Sequence, residues 1–316
     1  MGNSEYIEII KNNKFEISIS RKSHFSIATS PYYAHQHGLA LDIYHQISIE
    51  NYHVISPIAG KIINIRHLYA PKPKFQKGVA KEYLILIENI YNKEFLFKIL
   101  HVKPKVEVGQ YIEVGDPLGT TIRNGYFAYW SSPHIHLELR SPENPLRARE
   151  GLKFTLALDK NLTKKADGNN LKNKEIPIKI KKIYPEFILC HFPNSFYGKI
   201  KPIFGVIGTV DNKNCLIDGG IPQYKNGIAI FSDKINKIKD SSIFLDTNYI
   251  GDIKTTRENL AFFNCERTKF FLNKEEIRGI SLFLANFIPY MKIIPYKINQ
   301  FSFTENSIQY LSMVSN

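Results

Sequence analysis

Apolar and polar positions along this chain follow the pattern of many short β-strands. In the first half, β-branched and aromatic residues gather in short runs separated by turn signals, a pattern typical of strands rather than of amphipathic helices. These runs lie at residues 15–19, 53–55, 61–65 and 83–87. The first half is therefore predicted to be all-β.

The second half repeats the pattern with one exception. Apolar runs at residues 187–191, 203–210, 215–218, 228–231 and 243–245 are separated by turns such as the glycine-rich segment at 218–220. In residues 274–285, however, Ile277, Ile280, Ser281 and Leu284 fall on one helical stripe. The predicted fold class is all-β, mainly antiparallel, with a second β-rich domain that contains this one helix.

A polar, lysine-rich segment at residues 159–173 divides the two halves. It contains the turn-forming sequence DGNN at 167–170, which favours an exposed loop. We interpret it as a linker between a first domain at residues 1–158 and a second domain at residues 174–316. A chain of 316 residues is long enough for two such domains.

The charge balance narrows the classes of partner. With 42 Lys+Arg against 29 Asp+Glu, the formal net charge is +13, which suits nucleic acid, an anionic cell-wall polymer or a membrane surface. The basic residues are dispersed, with short lysine runs and no arginine-rich arm. A dedicated nucleic-acid surface is therefore not the leading expectation, and the sequence does not indicate an oligomeric state.

Cysteine content and hydropathy bear on the compartment. Cys190, Cys215 and Cys265 are too few and too scattered for a disulfide framework, so reduced, partly buried thiols are predicted. The first twenty residues lack the continuous apolar core of a signal peptide, and the apolar run at 280–288 is too short to span a bilayer. As written, the chain is expected to be cytoplasmic without a membrane span, or extracellular if a leader is missing.

The histidines concentrate the candidate chemistry in the first half. Nine of the ten precede residue 137. Within the segment PHIHLELR at 133–140, a strand would place His134 and His136 on one face and Ile135 and Leu137 on the other. Two imidazoles side by side on a rigid strand can hold a zinc ion and polarise the water bound to it.

Several segments in the same order resemble the lysostaphin-type zinc metallopeptidases, a family of peptidoglycan endopeptidases. The resemblance covers about residues 30–150. It includes HGLALDI at 37–43, VISPIAGKI at 54–62, ILHV at 99–102, a hairpin pattern at 106–119, SPHIHLELR at 132–140 and NPL at 144–146. It implies a β-sandwich domain that hydrolyses peptide amide bonds, with a short Gly- or Ala-containing cross-link of a cell-wall polymer as the expected substrate.

The resemblance also implies a set of site residues. His37, Asp42 and His136 would bind one zinc ion per chain and leave a position for water. His134 would act as general base or orient the water, and His101 would stabilise the developing oxyanion or pass a proton to the leaving amine.

The spacing of the first two ligands departs from the family pattern. Four residues separate His37 from Asp42, which puts them on opposite faces of a regular strand. A β-bulge at Gly38 would restore the geometry, whereas His35 also has an odd separation from Asp42. The alternative is therefore a catalytically inactive peptidase fold that serves as a binding or scaffold protein. The role of the second domain is left open.

Overall fold

A computed structural model describes residues 5–11, 14–75, 78–164, 175–235 and 241–315. The chain divides into two compact units. Unit 1 comprises Met1–Phe25 and Tyr32–Ala157, and unit 2 comprises Ser26–Pro31 and Leu158–Asn316. The short segment at residues 26–31 thus belongs to unit 2, although its neighbours in sequence belong to unit 1.

Unit 1 is built from antiparallel strands and one short helix. Up to residue 157 the elements are β1 (Tyr6–Lys11), β2 (Glu16–Ser20), β3 (His24–Ser26), α1 (Tyr33–Gln36), β4 (Ala40–Tyr44), β5 (His53–Ile55), β6 (Gly60–Tyr69), β7 (Lys81–Asn89), β8 (Leu96–Leu100), β9 (Val102–Pro104), β10 (Tyr111–Ile112), β11 (Pro117–Thr121) and β12 (Ile135–Arg140).

The main sheet of unit 1 has the order β4-β12-β8-β7-β6-β10. A smaller sheet has the order β5-β11-β9, and β1 pairs with β2. Strand β12 is therefore flanked on both sides, and all six of its residues are buried. Its apolar side chains Ile135, Leu137 and Leu139 alternate with His136, Glu138 and Arg140, so the second set forms a buried polar row in the middle of the sheet.

Unit 2 is also antiparallel. Its elements after residue 157 are β13 (Leu162–Lys164), β14 (Ile176–Ile183), β15 (Ile188–His191), a 3-10 turn (Asn194–Phe196), β16 (Tyr197–Ile200), β17 (Ile203–Val210), β18 (Lys213–Ile221), β19 (Asn226–Ile230), β20 (Ser242–Leu245), β21 (Asn248–Arg257), β22 (Leu260–Asn264), β23 (Thr268–Leu272), β24 (Glu275–Ile277), β25 (Gly279–Leu282), β26 (Leu284–Ala285), β27 (Met291–Ile294) and β28 (Ile308–Ser315).

Strand pairing in unit 2 forms a closed ring and a branch. The ring runs β17-β18-β19-β22-β21-β20 and returns to β17. The branch runs β18-β25-β27-β15-β14-β28-β23-β24. Large apolar side chains such as Phe263, Phe270 and Tyr197 fill one core common to ring and branch, so unit 2 has the sizeable core that its length allows.

The all-β prediction is confirmed, but the predicted helix at residues 274–285 is wrong. These residues form β24, β25 and β26. Gly279 has a φ of +148°, which a helix cannot accommodate, and from Ile280 onward apolar residues recur at every second position. Pairing of β25 with both β18 and β27 then outweighs the local helical periodicity.

Three further predictions concern the linker, the cysteines and membrane-spanning helices. Residues 162–164 of the predicted linker form β13, which pairs with β16, and residues 165–173 lie outside the described residues. Cys190, Cys215 and Cys265 are free thiols, as predicted, and they are fully buried where partial burial was expected. Within the described ranges, no helix is long and apolar enough to cross a membrane.

Candidate metal centre

Two neighbouring strands place the first pair of site residues. In the register of β4 and β12, Asp42 lies directly opposite His136. Side chains directly opposite each other on one face of an antiparallel pair have adjacent Cβ atoms. The distance between His136 Nδ1 and Asp42 Oδ1 is 3.0 Å, so the sheet itself holds this pair together.

The third side chain comes from the helical turn that precedes β4. Helix α1 ends in a Schellman arrangement, with the Gly38 N–H donating to the His35 carbonyl and the Leu39 N–H donating to the Ala34 carbonyl. Gly38 has the positive φ, +59°, that this ending requires. The turn buries His35, and its Nε2 lies 3.2 Å from Asp42 Oδ1.

His37 lies outside this group. It is exposed at the end of α1, where its ring stacks on Tyr33 at a centroid distance of 4.0 Å and its Nδ1 lies 2.9 Å from the Tyr33 carbonyl. The sequence prediction had His37 as the first ligand and rejected His35 by counting strand faces. Residues 33–36 are helical rather than extended, so that count does not apply, and Gly38 ends a helix instead of forming a bulge.

The group that the structure assembles is His35, Asp42 and His136. One ligand atom from each residue lies within 4.8 Å of the others, and all three side chains are buried. His35 Nε2 also lies 3.1 Å from His136 Nδ1. Two nitrogens and one carboxylate oxygen therefore converge on one small volume, a donor set that suits zinc.

The hydrogen bonds of His136 indicate what this volume can hold. Its Nε2 lies 3.1 Å from Glu138 Oε1, and a carboxylate only accepts, so Nε2 carries a proton and donates it. Its Nδ1 faces the Asp42 carboxylate at 3.0 Å, which also only accepts, so Nδ1 donates a proton to Asp42 in the absence of a metal ion. A bound cation would take the place of that proton. Burial disfavours charge on this ring, but hydrogen bonds to Asp42 and Glu138 and their charges raise the pKa of His136 to about 9. The surroundings favour a cation at Nδ1.

The carboxylate of Asp42 points to the same conclusion. Burial alone raises a carboxyl pKa, but the imidazoles of His134 and His35 and the hydrogen bonds from His136 and His35 hold the pKa of Asp42 well below its usual range. Its Oδ2 is buried and has no hydrogen-bond partner among the residues that the structure describes. A buried anionic oxygen of this kind is costly unless a cation compensates it, and the residues present therefore fit a zinc ion.

His134 lies beside this group with its lone pair turned inward. Its Nδ1 lies 2.8 Å from the Ser132 carbonyl and must donate to it, and its Nε2 lies 3.4 Å from Asp42 Oδ1. Burial lowers the pKa of His134 to about 3. The ring is therefore neutral near pH 7, and its Nε2 carries a lone pair.

His101 is oriented by a carboxylate that sequence reasoning did not identify. Glu82 Oε2 lies 2.6 Å from His101 Nδ1, and Glu82 Oε1 accepts the His101 backbone N–H at 2.9 Å. Asn124 also donates to Glu82 Oε2. These contacts hold His101 at a φ of +68°, with its ring centroid 5.3 Å from that of His134 and 5.7 Å from that of His136. The structure thus brings together both predicted catalytic histidines.

We predict that Glu82 contributes acid-sensitive stability. Burial raises the pKa of its carboxyl. The charge of His101 and the hydrogen bonds from His101, Asn124 and the Tyr83 backbone act in the opposite direction, and together they lower the pKa from 4.5 to about 2. The contribution is present above pH 4.5 and is lost as the pH falls towards 2. Its size is on the order of 3 kcal/mol.

Urea unfolding of the wild type and of Glu82→Gln between pH 7 and pH 2 checks this prediction. The variant is expected to be less stable at neutral pH and to lose less stability as the pH falls, because it lacks the group that titrates. Parallel pH dependences of the two proteins would contradict the assignment.

Glu138 is the second carboxylate that sequence reasoning left without a role. It belongs to the buried row of β12 and contacts His136, Lys98 and Arg140. The period-two spacing of His136, Glu138 and Arg140 is a local signal that could have found it. By contrast, His53 pairs with Thr120 and His67 packs on Tyr83, away from the group.

Residues 15–156 match a family model described as the N-terminal domain of a domain of unknown function, DUF8155. No curated protein matches the chain.

Among solved structures, the chain is similar to a putative glycyl-glycine endopeptidase LytM from Ruminococcus gnavus ATCC 29149, at 21% identity and a TM-score of 0.23. That match covers 36% of this chain and only 42% of the other. It is also similar to lysostaphin in solution, at 11% identity over 54% of this chain and 75% of the other, with a TM-score of 0.22. A third match is lysostaphin of Staphylococcus simulans, at 11% identity over 80% and 100% of the two chains, with a TM-score of 0.25.

Proposed function

We propose that unit 1 is a zinc-dependent hydrolase of peptide amide bonds. The observation that carries the proposal is the convergence of His35 Nε2, Asp42 Oδ1 and His136 Nδ1 within 4.8 Å, next to a buried carboxylate oxygen. Three protein donors of this kind are characteristic of catalytic zinc sites, which keep one position for water or substrate. Bound zinc supplies a water of lowered pKa and polarises the carbonyl that is attacked.

The proton transfers are assigned to the two histidines beside the donors. His134 donates through Nδ1 to Ser132 and keeps a lone pair on Nε2, so it can take a proton from water as general base. His101 donates a hydrogen bond from Nδ1 to Glu82. This bond fixes the ring and leaves Nε2 for the substrate. There it can support the developing oxyanion or hand a proton to the leaving amine.

The substrate class follows from the resemblance of the sequence. The segments from 37–43 to 144–146 resemble endopeptidases of peptidoglycan, so a short Gly- or Ala-containing cross-link peptide is the proposed substrate. The net charge of +13 suits an anionic wall polymer as its setting. One ground for the alternative of an inactive scaffold was the spacing between His37 and Asp42, and His35 rather than His37 lies beside Asp42.

A peptide-hydrolysis assay tests the proposal. The zinc-loaded chain and its His136→Ala variant are incubated with a library of short Gly- and Ala-containing peptides and with purified cross-linked wall peptides, and the products are identified by mass spectrometry. Cleavage by the wild type that is absent in the variant is expected. A wild type that binds zinc but cleaves none of these substrates would contradict the proposed reaction.

A further inference from the structure

The buried polar row of β12 continues beyond the metal donors. Glu138 lies two residues after His136, on the same face of the strand, and is only 3% exposed. Its Oε1 accepts from His136 Nε2 at 3.1 Å and from Lys98 Nζ at 2.9 Å, and its Oε2 accepts from Arg140 Nη1 at 2.9 Å. Both oxygens of this carboxylate are therefore engaged by donors.

The two cations are themselves fixed by the fold. Lys98 on β8 is the direct cross-strand neighbour of Glu138. Arg140 is 1% exposed and donates to the backbone carbonyls of Asn144, Arg147 and Glu150. The loop that follows β12 thus holds the guanidinium in place, and the guanidinium holds the carboxylate.

The contact with Glu138 determines which ring nitrogen of His136 carries the proton and which keeps the lone pair. A neutral imidazole carries its single proton on one nitrogen, and the partner of that nitrogen determines which nitrogen keeps the lone pair. Near Nδ1 lie Asp42 Oδ1 and His35 Nε2, at 3.0 and 3.1 Å. If the proton moved to Nδ1, the ring would donate to Asp42 and turn no lone pair towards the other donors.

We propose that Glu138 is a positioning residue that keeps the proton of His136 on Nε2 and thereby directs the Nδ1 lone pair into the metal centre, with Arg140 holding the Glu138 carboxylate in place. The inference rests on the metal centre of the proposed function and not on the peptide substrate. Outer-shell partners of this kind typically contribute about 10- to 100-fold to metal affinity.

Zinc affinity, measured by competition with a chromophoric chelator, tests the inference in the full chain. Glu138→Gln is compared with the wild type and with Lys98→Met, which removes the other contact to Oε1 but keeps the carboxylate beside His136. The expected result is a zinc Kd weakened about 10- to 100-fold in Glu138→Gln and within about threefold of wild type in Lys98→Met. Melting temperatures of the zinc-free proteins are measured in parallel, because both variants disturb a buried ion pair and are expected to lower them.

The difference in zinc affinity between these two variants distinguishes a positioning role of Glu138 from a purely structural one. Equal zinc affinities of Glu138→Gln and the wild type, or equal losses in Glu138→Gln and Lys98→Met, would overturn the inference. If Glu138→Gln does not fold, the double variant Lys98→Met/Glu138→Leu removes the opposite charges together and is expected to show the same loss of zinc affinity. A wild type without zinc affinity would overturn this inference and the metal chemistry together, whereas a zinc-binding wild type without hydrolysis would contradict only the proposed reaction.

Discussion

His35→Ala is expected to abolish zinc binding, while His37→Ala leaves it unchanged. His35 Nε2 is buried within 3.2 Å of both Asp42 Oδ1 and His136 Nδ1, whereas His37 is exposed and stacked on Tyr33. Loss of one of three donors is expected to weaken zinc binding by more than about 100-fold, the upper end of the loss seen for outer-shell partners. Equilibrium dialysis followed by elemental analysis measures the bound zinc.

The two variants are matched controls for each other. They change the same residue type at two positions, one inside the helical turn and the other at its C-cap. Loss of zinc in His37→Ala and its retention in His35→Ala would restore the ligand set predicted from sequence. Circular dichroism of both proteins checks that the turn and the sheet remain folded.

His134→Ala is expected to lower the rate of peptide hydrolysis by about 10²- to 10⁴-fold, the range for loss of a general base. The neutral ring faces Asp42 with Nε2 and is held by the Ser132 carbonyl, so its removal takes away the proton acceptor but none of the three proposed donors. Zinc content is therefore expected to stay near the wild-type value. Steady-state kinetics on a cleaved peptide, together with elemental analysis, measure both quantities.

His53→Ala provides the control for this second prediction. His53 is exposed and bonded to Thr120, away from the metal centre, so its removal is expected to change neither the rate nor the zinc content. If His134→Ala lowered zinc content in parallel with activity, His134 would act on the metal donors rather than on the proton.

The part of the site that could be predicted lies on strands or directly beside them. Period two places His134 and His136 together from sequence alone, and a buried strand pair brings Asp42 to His136. His35 could not be found in this way. Its position depends on one helical turn of four residues, too short for any periodic signal, and strand counting across that turn gives the wrong parity.

Contacts with residues on other strands could not be predicted from the sequence either. Glu82 reaches His101 from β7, and Lys98 reaches Glu138 from β8, so both contacts depend on sheet order rather than on spacing. The helix expected at residues 274–285 failed for the same reason. Its apolar stripe fitted a helix locally, but β18, which is distant in sequence, and β27 both pair with β25, and such pairing overrides local propensity.

The zinc content of the purified wild-type chain is the decisive measurement for the proposed metal centre. The chain is dialysed against excess zinc and then against zinc-free buffer, and the metal is measured by elemental analysis beside His136→Ala. We expect about one zinc ion per wild-type chain and none in the variant. A folded wild type that retains no zinc, with His35, Asp42 and His136 intact, would contradict it.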